Sequence, residues 1–200
     1  MQNSQQASQT SRQGRLIVIS GPSGVGKSTV TARVLERTGA AFSVSATTRL
    51  PRSGERHGRE YYFVSADEFR RMVERGELLE YAEVFGNYYG TPAEPVEQDL
   101  AKGRNVILEI DVQGGLQVAR KRPDAVFVLI VPPDEQTLRK RLSGRGTDEP
   151  AVVERRLAEA NRELQTARRS GVYTYEVMND DLDAAVQRVV EITQQEAGSP

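Results

Sequence analysis

Cysteine is absent from the 200 residues. That excludes a disulfide framework and a cysteine–zinc centre, and it permits a reducing compartment, so the expected location is cytoplasmic. A surplus of charge is absent as well. Lys and Arg number 27 against 28 Asp and Glu, which leaves no global attraction for nucleic acid or an anionic membrane. No apolar run approaches the length of a membrane span, and the N-terminus has no apolar signal core. Residues 1–14 are mostly Gln, Ser, Asn, Thr and Ala. They carry too little apolar surface to offset their ordering entropy and are expected to form a disordered tail. Histidine occurs once, as His57, in a charged glycine-bearing turn. No acid there has the context of a catalytic triad, so His57 is expected to be exposed and not catalytic.

What is present is more telling. Gly21-Pro22-Ser23-Gly24-Val25-Gly26-Lys27-Ser28 matches G-x-x-x-x-G-K-[ST], the phosphate-binding P-loop. Before it lies the β-branched run Leu16-Ile17-Val18-Ile19, which predicts a buried strand. After it, Thr29 to Thr38 places Val30, Val34 and Leu35 on one helical face and stops at Gly39. Strand, glycine loop and helix are the context the motif requires. Backbone N–H groups then face a polyphosphate at a helix N-terminus. Lys27 would reach the β- and γ-phosphates, and the Ser28 hydroxyl would bind Mg²⁺.

Apolar runs at Leu16–Ile19, Val106–Ile110 and Val126–Val131 read as strands buried on both faces, with helices between them. The expected class is α/β: a P-loop core with a parallel sheet flanked by helices. Tyr173–Met178 is a weaker strand candidate, and Asp181 to Gln195 predicts a closing helix. The core would comprise 15–41, 97–131 and 171–197. Within 42–96, the short segments Phe42–Ala46, Tyr61–Val64 and Leu78–Val84 suggest a small mixed-sheet insertion. Ser65-Ala66-Asp67-Glu68 reads as a capping box, and Thr91-Pro92-Ala93-Glu94 as a second with proline at the first helical position. Residues 132–170 are basic and helical, broken at Gly144 and Gly146, and suggest a lid.

A P-loop alone does not name an acceptor. A hydroxyl acceptor usually needs a carboxylate base, whereas a phosphate acceptor is already ionised and needs cations to offset repulsion between the two polyphosphates. Arginines at 49, 52, 56 and 59, and again around Arg145, favour a phosphate acceptor.

The surrounding segments resemble the guanylate kinase family. These are Ser43–Glu55, Gly58–Phe63, Gly86–Thr91, Ile110–Gly114, the lid-like Arg141–Thr147 and the late loop Asn179-Asp180-Asp181. The resemblance runs from Arg15 to the last helix in the family's order. It implies an enzyme that transfers the γ-phosphate of ATP to GMP, in purine nucleotide metabolism and GMP recycling. Arg49, Arg52, Tyr61 and Tyr89 would hold the GMP phosphate, arginine forks and phenol groups both suiting a phosphate dianion. Ser45, Glu80, Thr91 and Asp111 would read the guanine. A carboxylate accepts from the neighbouring N1–H and N2–H₂, a role given first to Glu80, and adenine presents an acceptor at N1 instead. Gly21 to Thr29 would bind ATP, with Asn179 near the adenine. Of the implied catalytic residues, Lys27 with Mg²⁺ would cover the β,γ-phosphates, and Arg49, Arg145 and Arg156 would stabilise charge on the transferred group. The implied partners are ATP, GMP and Mg²⁺, with no nucleic acid and no membrane.

Plainer readings stand beside these. Arg56 and Arg59 are expected on a solvated turn, Arg168 and Arg169 on a helix surface, and Tyr62 and Tyr88 packed on the far side of their strands. The role of Glu109 is open. A scaffold domain that binds phosphorylated partners would carry a degraded P-loop, and here Gly26-Lys27-Ser28 is intact. An AMP kinase is disfavoured by Glu80 and Asp111.

Overall fold

The computed structural model describes residues 13–84, 86–144 and 149–195. In chain order the elements begin with β1 (Leu16–Ser20), α1 (Lys27–Thr38), β2 (Ala41–Phe42), β3 (Ala46–Thr47), β4 (Tyr62–Phe63) and α2 (Ala66–Glu74). They continue with β5 (Leu78–Val84), β6 (Asn87–Pro92), α3 (Ala93–Ala101), β7 (Val106–Glu109) and α4 (Val112–Lys121). The last are β8 (Val126–Val131), α5 (Glu135–Leu142), α6 (Pro150–Ser170), β9 (Tyr175–Met178) and α7 (Leu182–Gln194).

Five strands form a parallel sheet in the order β2-β7-β1-β8-β9. Alternation along its strands feeds two apolar layers. Ile17, Ile19, Ile107, Val128 and Ile130 pack against Val30 and Val34 of α1 and Val186 and Val189 of α7. Leu16, Val18, Val106, Leu108 and Phe127 face the other way, onto Val96, Leu100 and Val118. Both faces are covered, as the unbroken apolar runs require. The loops at the carboxyl ends of β1 and β7 therefore meet at one rim, where open parallel sheets bind ligands.

A second sheet of four strands, order β4-β3-β6-β5, makes the insertion. Phe69 of α2 fills its core with Ala46 and Leu78. Tyr88 stacks on Phe69 at 5.5 Å between ring centroids, and Tyr62 packs beside it. Helix α4 is bonded to the edge strand β5. Gln117 accepts from the Tyr81 N–H and donates to its carbonyl, and Lys121 donates to the Leu78 carbonyl. Among the described residues no helix is long and apolar enough to cross a membrane.

Three local expectations change. Phe42–Ala46 is not one strand. Ala41–Phe42 pairs with β7 in the large sheet, and Ala46–Thr47 pairs in the small one, because the chain leaves the core between them. Thr91 is not a helix cap: it lies in β6, and Pro92 is the N-cap of α3. The cross-strand partner Glu80 takes the Thr91 hydroxyl instead. The first helix starts at Lys27, two residues earlier than expected. Half of the other capping box forms: the Ser65 side chain accepts from the Glu68 N–H at 3.1 Å, while the Glu68 carboxylate accepts from Arg71.

Candidate active site

The P-loop joins β1 to α1. Its helix has Gly26 as N-cap at φ 94°, no side-chain cap and no acid in the first turn. The first N–H groups are thus left for a ligand, and the positive φ suits glycine. A cavity of about 370 Å³ opens there, lined by Pro22, Ser23, Gly24, Gly26, Lys27, Ser28, Thr29 and Glu109. Gly21 and Val25 are buried behind it. The Lys27 ammonium donates to the carbonyls of Gly21 and Pro22. Burial lowers its pKa, and the carboxylates of Glu109, Glu163 and Asp111 oppose that shift.

Ser28 donates its hydroxyl hydrogen bond to Glu109 Oε1 at 2.5 Å. This gives Glu109 a place that its sequence position left open. Hydroxyl and carboxylate together are hard oxygen donors, and no group of three or more acidic or histidine side chains fit to hold a metal exists among the described residues. That sparse set suits Mg²⁺, which keeps most of its shell as water and substrate phosphate.

Arg156 of α6 reaches the same loop, donating to Ser23 Oγ at 3.2 Å and to the Leu142 carbonyl at 3.1 Å. Asn179 is buried, and its amide donates to the Val25 carbonyl at 2.8 Å. It supports the loop from behind with one amide hydrogen, which leaves the second hydrogen and Oδ1 of the same amide for other partners. Arg145 lies outside the described residues.

In the insertion, β3 and β6 bring Arg49, Tyr61 and Tyr89 together. Tyr89 is the cross-strand partner of Thr47, and the Thr47 hydroxyl oxygen accepts from the Arg49 N–H. The Arg49 guanidinium lies 5.4 Å from the Tyr61 ring centroid, and the Tyr61 and Tyr89 rings are 5.9 Å apart. Arg49 Nη2 donates to both oxygens of Glu55, at 2.9 and 3.0 Å. Glu55 also accepts from the Arg52 N–H at 2.8 Å, and this bond, with the Arg49 guanidinium, holds its carboxyl below the usual range. Glu55 thus ties the Arg52 backbone to the Arg49 guanidinium, which lies against the Tyr61 ring beside Tyr89.

A cluster of polar side chains lies where this lobe meets α4, with Glu80 Oε2 against Gly114. Glu80 is 6% exposed and accepts from the Thr91 hydroxyl at 2.6 Å. A register shift between Leu78 and Glu80 sets these two residues opposite one another, and bulges of this kind re-aim side chains beside active sites. Burial, with the nearby charge of Asp111, pushes the Glu80 carboxyl up to about 7 against the pull of Thr91. Asp111 caps α4 by accepting from the Gly114 N–H at 2.7 Å. Ser45 immediately precedes β3 and is half-buried.

Three residues outside the expected set also shape the site. Glu109 has been described. Glu163 of α6 carries no hydrogen bond among the described residues, and burial raises its carboxyl to about 7 beside Lys27 and Asp111. Arg141 of α5 donates to the carbonyls of Val25 and Asn179. Helical periodicity could have marked Glu163 as sharing a face with Arg156, two turns away. Arg141 opens the lid-like segment Arg141–Thr147, but nothing in the sequence alone aims its guanidinium at the P-loop. His57 is exposed, and its Nδ1 accepts from the Phe63 N–H. Arg168 pairs with Glu176 at the surface.

A parallel sheet with a P-loop at its rim, and an arginine–tyrosine lobe beside it, defines a P-loop nucleotide kinase fold. The guanylate kinase family model matches residues 13–196. Guanylate kinase from Synechocystis is 48% identical over 189 residues, covering 94% of this chain and 97% of the relative. That from Lactococcus lactis is 51% identical over 184 residues, covering 92% and 88%. The crystal structure of guanylate kinase from Anaplasma phagocytophilum superposes with a TM-score of 0.72 at 34% identity, covering 94% and 88%. The chain belongs to the guanylate kinase family.

Proposed function

We propose that the chain transfers the γ-phosphate of ATP to GMP, giving ADP and GDP, in cytoplasmic purine nucleotide supply and GMP recycling. The observation that carries the choice of acceptor is the buried Glu80 carboxylate, bonded to Thr91 and set beside Asp111. Ionised Glu80 accepts from guanine N1–H and N2–H₂, and Ser45 and Asp111 complete the base pocket. An adenine N1 lone pair would face the same carboxylate with no proton between them, which leaves buried polar groups unpaired.

Arg49 and Arg52, with the phenols of Tyr61 and Tyr89, hold the acceptor phosphate. The free N–H groups of the loop and Lys27 hold the donor phosphates. Lys27 leaves the carbonyls of Gly21 and Pro22 as the donor arrives. Mg²⁺, held through Ser28 with Glu109 behind it, supplies neutralising charge on the donor phosphates when bound. Arg156, with Arg49 and Arg145, stabilises charge on the transferred group. The acceptor oxygen is ionised at neutral pH, so no catalytic base is needed. Rate comes from alignment and charge neutralisation.

A coupled assay for ADP, run with ATP and each of GMP, AMP, CMP and UMP, tests the proposal. Turnover with GMP far above the others is expected. Comparable turnover with AMP would overturn the assignment of the base pocket.

A further inference from the structure

The crest of the P-loop is held from its outer side by residues from two distant segments. Asn179 follows β9, and its N–H is anchored to the Val131 carbonyl at the end of β8, at 2.8 Å. Its side-chain amide donates to the Val25 carbonyl at 2.8 Å. Arg141, in the last turn of α5, sends Nη1 to the same carbonyl at 3.4 Å and Nη2 to the Asn179 carbonyl at 2.9 Å. Beside this junction Leu142 presses on Gly24, where a Cβ would come within 2.7 Å of the leucine Cδ2. Asn179 Nδ2 lies just as close to Gly26, 2.6 Å from where a Cβ would sit.

The peptide plane gives this clamp a consequence. In a trans peptide the carbonyl of one residue and the N–H of the next point in opposite directions. Fixing the Val25 carbonyl toward Asn179 and Arg141 therefore turns the Gly26 N–H the other way, toward the cavity that Gly26 lines. An unheld crest peptide could rotate and present its carbonyl, a negative dipole, to the phosphates. We propose that Arg141 and Asn179 are positioning residues for the donor phosphates, which fix the crest of the P-loop in its anion-receiving shape by pinning the Val25 carbonyl outward. The inference rests on the reading of the loop as the donor site. It assigns to both side chains an action through the backbone, separate from any contact that the second Asn179 amide hydrogen or Oδ1 makes with the base. Because Arg141 belongs to the first lid helix, the same guanidinium also ties the root of the lid to the loop.

A base-free donor separates the two roles. Inorganic tripolyphosphate has the phosphates of ATP and no adenosine. Its affinity and that of ATP are measured by calorimetry on the full chain, for the wild type, Asn179→Ala, Arg141→Met, Arg141→Lys and the double variant Asn179→Ala/Arg141→Met. Asn179→Ala and Arg141→Met are each expected to weaken tripolyphosphate binding about tenfold and ATP binding at least as much. GMP affinity should stay unchanged, which also reports an intact fold. Arg141→Lys, which keeps a donor and the charge, should recover most of the loss. The double variant should lose less than the product of the two single losses, since both act on one carbonyl. A loss confined to ATP would place these side chains at the adenosine end and overturn the clamp, as would independent, multiplying losses. Should Asn179→Ala fail to fold, the comparison of Arg141→Met with Arg141→Lys decides. Wild-type turnover of GMP is recorded alongside. Its absence would sink the functional reading, whereas the tripolyphosphate comparison decides the clamp by itself.

Discussion

The Thr91 hydroxyl donates to its cross-strand partner Glu80 at Oε1, 2.6 Å away, just past a register shift in β5, so two residues eleven apart make one buried polar pair. Glu80→Gln replaces an acceptor oxygen with an NH₂ group that would face a guanine N–H. The expected loss is about 1–3 kcal/mol in kcat/KM for GMP, with far less change for ATP. Steady-state kinetics with each substrate varied in turn measures the split. Equal damage to both substrates would make Glu80 a structural residue.

GMP binding should depend on pH through the same carboxyl. Glu80 rises from an ordinary value near 4.5 to about 7 in the free protein, chiefly by burial, with Thr91, Asp111 and Lys121 as the groups acting on it. Guanine donors need the ionised form, so KM for GMP should fall as pH rises through about 7 and then level off. Stability runs the other way. The folded state binds the extra proton between about 4.5 and 7, so stability falls as pH rises across that window. Denaturant titrations and KM profiles of wild type and Glu80→Gln check both slopes, and each should flatten in the variant.

Lys27 is the cation that the loop holds ready on its own carbonyls. Lys27→Ala is expected to cut kcat by about 10²–10³-fold, the scale seen when a preorganised charge-stabilising donor is removed. GMP affinity should be unaffected, because Arg49, Arg52, Tyr61 and Tyr89 lie in the other lobe. Near-normal kcat would reject the role.

Gly115 of α4 has no room for a side chain. A Cβ there would stand 2.1 Å from the Tyr173 hydroxyl oxygen and 3.0 Å from Ser20 Oγ. Gly115→Ala must displace Tyr173, whose ring packs edge-on to Phe127 at 6.1 Å. A destabilisation of about 1–3 kcal/mol is expected from overpacking, measured by chemical denaturation. An unchanged midpoint would show that Tyr173 moves at no cost.

In-line transfer needs the reacting atoms about 3–3.5 Å apart and water kept out. The insertion and the lid are expected to close on the core when nucleotides bind. Edge strand β5 is bonded to α4 through Gln117 and Lys121, so the insertion should turn about that edge and carry Arg49 and Tyr89 inward. Fluorophores on α2 and α6 would report the change with a bisubstrate analogue. A distance distribution identical to that of the free chain would refute closure.

Much of the fold could be read directly from local pattern. Apolar runs without alternation marked β1, β7 and β8 as strands covered on both faces. Ser65 and Glu68 marked the start of α2, and Gly39 the end of α1, because caps act over three or four residues. Thr91 misled for a related reason. Its spacing to Glu94 fits a cap, but a buried carboxylate from another strand competed for the hydroxyl. The split of Phe42–Ala46 between two sheets was hidden because strand propensity does not say which sheet will pair.

The sequence by itself determined that a phosphate loop follows a buried strand and opens a helix, and that arginine-rich segments flank it. Those properties depend on neighbours along the chain. Only the tertiary structure decided that Ser28 meets Glu109, 81 residues away, and that Asn179 reaches back 154 residues to pin the Val25 carbonyl. It likewise decided that a bulge sets Glu80 against Thr91. Such contacts depend on strand order, register and the seating of helices. They are fixed by burial of the two apolar layers, and that burial brings distant polar groups within hydrogen-bonding distance.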